Sequence, residues 1–197
     1  MGDCVILDII APLLNPGPPA MTETARPDCI RPDCILHWTE IQDPDTATYP
    51  GDGELMSIGS PFGRVFGFRR IGIHHEVLPP GRRTSWPHAE STEEEFVYVL
   101  EGHPDLWLDG NLHRLNPGDG VGFLPGTGIA HTVMNNTDAP VRLLVVGEHK
   151  RPDNKVVYPL HPHRNTQVGE AHWADAPSRP LGPHDGVPRK IGEGPGK

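Results

Sequence analysis

Between residues 64 and 147 apolar and polar side chains alternate in short runs, and no stretch carries a helical stripe. Residues 64–68 and 71–78 read as strands, closed by Pro79-Pro80-Gly81. Residues 85–90 and 95–101 read as the next two, the second built on Phe96-Val97-Tyr98-Val99-Leu100. Leu106-Trp107-Leu108 and Leu112-His113-Arg114-Leu115 flank Asp109-Gly110 and predict a hairpin, since Asp-Gly accommodates the positive φ angles of a type I′ turn. After Asn116-Pro117-Gly118-Asp119, residues 121–124, 130–134 and 141–146 complete the set. Strands at this spacing predict an all-β jelly roll or barrel.

The flanks read differently. Residues 1–25 are expected to be a flexible extension and residues 26–63 an irregular arm, with turns at Asp43-Pro44, Pro50-Gly51-Asp52-Gly53 and Gly59-Ser60-Pro61. The first twenty residues lack a positive leader and Asp8 interrupts their apolar part, so they make a poor signal peptide. Met21-Thr22-Glu23 reads as an ordinary start, which makes residues 1–20 a dispensable extension. Arg26-Pro27-Asp28-Cys29-Ile30 is repeated at once as Arg31-Pro32-Asp33-Cys34-Ile35, too short for a repeat architecture. Residues 148–197 hold five His and eight Pro with one strand-like run at 155–160, and read as a tail that wraps the 64–147 core or a partner subunit, its end from residue 188 frayed.

Composition narrows the classes. A chain of 197 residues with 23 Gly, 24 Pro and 6% aromatics suits one domain of short strands and tight turns. A net charge of −9 argues against nucleic acid or an anionic membrane as partner, and no stretch is apolar enough to span a bilayer. Cys4, Cys29 and Cys34 are an odd set near one end, so they read as free thiols rather than a disulfide framework or a Cys29/Cys34 zinc site, and the chain as cytoplasmic.

The chemistry gathers in His88-Ala89-Glu90-Ser91-Thr92-Glu93-Glu94-Glu95 and in His131. His88 and Glu90 are two apart and share a strand face. Imidazole and carboxylate groups converging from different strands are what a divalent first-row metal takes. Gly81, His88, Glu90, Glu95 and Gly102 resemble the first motif of the cupin superfamily, and Gly118, Pro125, Gly128, His131 and Asn135 the second. The match runs over roughly residues 64 to 147, and the segments Gly81 to His88, Gly118 to Pro125 and Pro125 to Gly128 are each one residue longer than the pattern. Glu90 stands where the family's motif has a second His.

The resemblance implies a double-stranded β-helix, a homodimer, and a metal held by His88, Glu90, Glu95 and His131. Without Glu90 the set becomes two His and one carboxylate, the arrangement of non-haem Fe(II) oxygenases. Iron, manganese, zinc or nickel are the candidate ions, with Fe(II) or Mn(II) favoured by a donor set of two carboxylates. Glu90 is a ligand, a general base or neither. Glu93 and Glu94 read as solvated charges, one of His74 and His75 faces inward, His161-Pro162-His163 reads as solvated tail, and Trp86 is either core or pocket wall. A small-molecule enzyme of dioxygenase, isomerase or lyase type is the expected function, and catalytic residues are not assigned. The alternatives are a non-catalytic small-ligand-binding protein and a metal-free structural barrel.

Overall fold

The computed structural model describes residues 31–149 and 151–189. The expectations for residues 1–20, for Cys4 and Cys29, and for all but the first two residues of the frayed end lie outside them. Ten strands dominate: β1 (Ile58–Ser60), β2 (Ile71–Leu78), β3 (Ala89–Glu90), β4 (Glu95–Glu101), β5 (Asp105–Leu108), β6 (Asn111–Arg114), β7 (Gly120–Phe123), β8 (His131–Met134), β9 (Val141–Glu148) and β10 (Val156–Val157). Two short α-helices, α1 (Phe62–Val65) and α2 (Pro162–Gln167), lie outside the sheets.

The strands form a five-stranded antiparallel sheet in the order β1-β2-β9-β4-β7, a three-stranded sheet β6-β5-β8 and a two-stranded β10-β3 pair. Leu78, Val97, Val99, Val141 and Leu143 of the larger sheet share one buried cluster with Leu106 and Val133 of the smaller, so the two sheets face each other across the core. The backbone ladders do not run continuously around a barrel among the described residues, as a closed barrel would require; isolated pairs at Arg83–Met134 and His88–His131 join β8 to the segment that leads into β3.

The inner face of the large sheet follows strict alternation, and its character changes along its length. On β2 it reads Gly72, His74, Glu76, Leu78. On β4 it reads Glu95, Val97, Val99, and on β9 Val141, Leu143, Val145, Gly147. Glu95 stands opposite Gly147, which in turn stands opposite Gly72. One end of the sandwich is therefore packed aliphatic core, and the other is a polar cavity whose floor carries two residues without side chains.

Local chemistry explains the turns. Asp109 at φ 45° and Gly110 at φ 85° make the type I′ hairpin expected from Asp-Gly. Gly102, which closes the first motif, has φ 85°, and a Cβ there would stand 2.8 Å from Val141 Cγ2, so no other residue fits without displacing the start of β9. Asn135, the last residue of the second motif, is fully buried and donates from Nδ2 to the carbonyls of Leu78 and Ala139, both at 2.8 Å.

Three expected elements differ. Residues 64–68 are not a strand, because Val65 and Phe66 donate to the carbonyls of Pro61 and Phe62 and form the helical turn α1. Residues 85–90 shrink to Ala89–Glu90: Pro87 has no N–H to pair, and the Thr132 hydroxyl takes the Ser85 carbonyl at 2.7 Å. The arm read as irregular contributes β1, short enough to escape a periodicity reading.

The tail from residue 151 packs along the sandwich. Val156 and Val157 pair with β3, Gly182 and His184 donate to the carbonyls of Asp109 and Gly110, and Trp107 Nε1 donates to His184 O at 3.0 Å. Among the described residues no helix is long and apolar enough to cross a membrane.

Candidate functional site

His88, Glu95 and His131 reach one point from three separate segments. Glu95 is the first residue of β4 and points inward by the same parity as Val97 and Val99. His131 opens β8, and His88 lies on the irregular segment beside it; the two exchange backbone hydrogen bonds, His88 N to His131 O at 3.2 Å and His131 N to His88 O at 2.9 Å. That pairing places both rings on the same side, with centroids 5.1 Å apart. The three potential ligand atoms all lie within 4.8 Å of one another.

Both imidazoles are oriented from behind. His88 Nδ1 stands 2.9 Å from the Trp86 carbonyl and 3.2 Å from Ser85 Oγ, and His131 Nδ1 stands 3.4 Å from the Ile129 carbonyl. A carbonyl only accepts, so Nδ1 carries the proton and the Nε2 lone pair is left facing the cluster. The His131 ring also stacks on Phe123 at 3.5 Å with the planes 5° apart.

His131 is 5% exposed, and its Nε2 is buried without a hydrogen-bond partner; the nearest carboxylate oxygen, Glu95 Oε2, is 3.7 Å away, beyond hydrogen-bond length. An orphaned buried acceptor facing a carboxylate and a second free imidazole is the donor set of a divalent metal, and the residues fit such an ion. His88, Glu95 and His131 would hold it, leaving positions open for a small molecule.

Electrostatics agree with that reading. Burial drives the His88 pKa down to about 4, with the neighbouring His131 adding to the effect, so the ring is neutral and ready to coordinate at pH 7. Burial works to raise Glu95, but the pull of His131, His88 and His74 outweighs it and holds the carboxyl below its ordinary value.

Glu90 lines the same cavity, on the face shared with His88, but its carboxylate is not part of the three-residue cluster. Burial, reinforced by Glu93 and Glu95, pushes its pKa up to about 7, and the Asn154 amide works against this. Glu93 and Glu94, expected to be solvated, also line the cavity. His74 is the inward member of its pair, while His75 faces outward and stacks under Trp38 at 4.4 Å. Trp86 is core, 2% exposed and sandwiched between Tyr49 and His161, each at 4.1 Å; His161 is thus packed rather than solvated.

Glu76 was not picked out by sequence reasoning, although its parity with His74 signals it. Burial raises its pKa to about 7, against the pull of a hydrogen bond from Ser57 Oγ at 2.6 Å, and Glu95 pushes it further up. A carboxyl whose folded value lies above its unfolded value of 4.5 stabilises fully below pH 4.5 and loses that contribution as pH rises through about 7. In metal-free protein, Glu76→Gln is therefore expected to equal the wild type near pH 4.5. At pH 8 it should exceed it by roughly 2 kcal/mol in urea unfolding. A difference that does not grow over this range contradicts the assigned burial.

The comparisons with known proteins follow the same residues. The Cupin domain family matches residues 74–147. A sugar phosphate isomerase of the cupin superfamily from Silicibacter pomeroyi is 32% identical with a TM-score of 0.57, over 63% of this chain and 80% of that one. A candidate sugar phosphate isomerase from Acidithiobacillus ferrooxidans is 28% identical with a TM-score of 0.56, over 64% of this chain and 81% of that one. An uncharacterized protein of Methanocaldococcus jannaschii is 28% identical over 94 residues, 48% of this chain, and the match spans 65% of that relative's length. With both motifs contributing to one three-residue cluster and relatives of this kind, the chain belongs to the cupin superfamily.

Proposed function

We propose that the protein is a divalent-metal-dependent enzyme that moves a proton between adjacent carbons of a small hydroxy-carbonyl compound, an isomerase by reaction type. One observation carries the reading: two braced imidazoles and the Glu95 carboxylate converge, His88 and Glu95 line a cavity of about 240 Å3, and His131 Nε2 is buried and unpartnered. An ion held there supplies Lewis-acid polarisation of a bound carbonyl.

The chain's own groups do the rest. Glu90 lies inside the cavity and outside the three-residue cluster, where a carboxylate can take the proton from the carbon beside the carbonyl and return it to the neighbouring carbon. The hydroxyl proton on the carbon that lost its hydrogen passes to the former carbonyl oxygen, so the carbonyl moves one position along the chain and no atoms are gained or lost. Thr84 and Ser85 offer hydroxyls at the same wall to orient the molecule. The two solved relatives described as sugar phosphate isomerases support reaction type.

The test is solvent proton exchange. Mn(II)-loaded protein in D2O, given a panel of aldoses, ketoses and their phosphate esters, is expected to incorporate deuterium at the carbon next to the carbonyl. Glu90→Gln should lose most of that exchange, at least about a hundredfold, while retaining metal. The same three-residue set is found in Fe(II) oxygenases, so oxygen uptake by iron-loaded protein without proton exchange would replace this reading with oxygenase chemistry.

A further inference from the structure

Six carboxylates line the cavity, Glu76, Glu90, Glu93, Glu94, Glu95 and Glu148, and among the described residues no Lys or Arg side chain lines it. Arg151, on the adjoining segment, is already engaged: its guanidinium bonds Asp153 at 3.0 Å and Glu148 at 3.3 Å, and its backbone N–H donates to Glu93 at 2.6 Å. Burial reduces the charge on Glu76 and Glu90, and a divalent ion on the three-residue cluster would offset two of the charges that remain, which still leaves the cavity negative.

Field and hydrogen bonding point the same way. Charges grouped around a cavity of about 240 Å3 act within one screening length, roughly 8 Å at physiological salt, so solvent does not erase their sum. A phosphate dianion would enter against that field, and among the described residues no guanidinium or ammonium lines the wall to receive it. Ionised carboxylates only accept hydrogen bonds, so a ligand that satisfies them must bring donors. His88 and Glu95 line the cavity, so an ion held by them together with the buried, unpartnered Nε2 of His131 would stand at its wall, where such a ligand would meet it.

We infer that the cavity takes a small, donor-rich molecule without a phosphate group, an uncharged polyhydroxy carbonyl compound or its amino counterpart. This separates the chain from the phosphorylated substrates named for its solved relatives, and it rests on the metal-site reading above. The six-glutamate wall is the specificity element: hydroxyl or ammonium groups on the ligand donate to it, and an anionic tail is turned away.

The experiment uses full-length protein loaded with Zn(II), its metal content measured on the same sample, and three probes: D-fructose, D-glucosamine and D-fructose 6-phosphate. Saturation-transfer NMR is expected to detect the first two, with the phosphate ester bound at least tenfold more weakly and inorganic phosphate failing to displace the sugars. Glu93→Gln/Glu94→Gln, at the cavity's solvent side, should narrow the gap between D-fructose and its phosphate ester at unchanged metal content. Preferential binding of D-fructose 6-phosphate, or retention of none of the three by metal-loaded protein, overturns the inference and leaves the metal site standing. Absence of metal from the sample overturns the metal-site reading itself.

Discussion

Replacing His131 by alanine is expected to lower divalent-metal affinity by at least about a hundredfold and to abolish the stabilisation that metal gives. The ring offers one of the three candidate ligand atoms, and it is fixed on both sides: its backbone pairs with His88 and its plane lies against Phe123. No other His, Asp or Glu completes a three-membered cluster among the described residues, so no neighbour substitutes for it. Even residues that merely orient a ligand typically cost ten- to a hundredfold in affinity, and loss of a ligand costs more. Metal at a hundred times its Kd contributes about 2.7 kcal/mol of stability through mass action, so a chelator should lower the wild-type Tm by several degrees and leave the variant's Tm unmoved. Thermal scans with and without chelator, alongside metal analysis, check both statements. A wild-type Tm indifferent to chelator contradicts the assignment.

The second large effect concerns Arg83, which has no contact with the cluster but holds the segment leading to His88. It is 2% exposed, grips Glu54 through Nε at 2.8 Å and Nη2 at 2.6 Å, and donates from Nη1 to the Gly186 carbonyl at 2.6 Å. Glu54 also accepts from Trp86 Nε1 at 3.0 Å. One guanidinium thus ties the arm, the tail and the residues just before His88. Arg83→Met removes the cation and leaves Glu54 and a buried carbonyl unpaired. Breaking a buried pair in this way costs 3–5 kcal/mol, and because Glu54 keeps some solvent access the expected loss is about 3 kcal/mol in urea unfolding. Adding Glu54→Gln should recover part of it, since the uncompensated charge is then gone. A loss under about 1 kcal/mol would mean the tail is held by other contacts.

How much of this was legible in the residues differs from place to place. The register of Glu95 is readable because six residues separate it from Gly102, whose conformation only glycine takes comfortably, and strand parity then points the carboxylate inward. The hairpin at Asp109-Gly110 is readable from turn chemistry alone. The meeting of His88, Glu95 and His131 is legible from the two motifs in order, as is the cupin membership. The place of Glu90 is not: parity puts it on the right face, but alternation does not encode whether its carboxylate reaches a point shared with side chains of other segments. Glu76 escaped because a lone acid on an apolar strand carries no motif. The helical turn α1 reads as a strand because Val65, Phe66 and Phe68 have strand propensity, and Pro61 wins only by supplying its carbonyl to Val65 N. The tail's α2 escaped for a related reason. Its start is signalled by Pro162 at the first helical position, but it has no buried face to produce a periodic stripe.

His88, Glu95 and His131 are proposed to hold one divalent ion. The most direct test is a crystal structure of metal-loaded protein with anomalous scattering collected at the metal edge. One peak per chain is expected, bonded to Nε2 of both histidines and a Glu95 oxygen at about 2.0–2.2 Å. An anomalous peak on another group, such as the His161 and His163 pair, with none at the three-residue cluster, would contradict it.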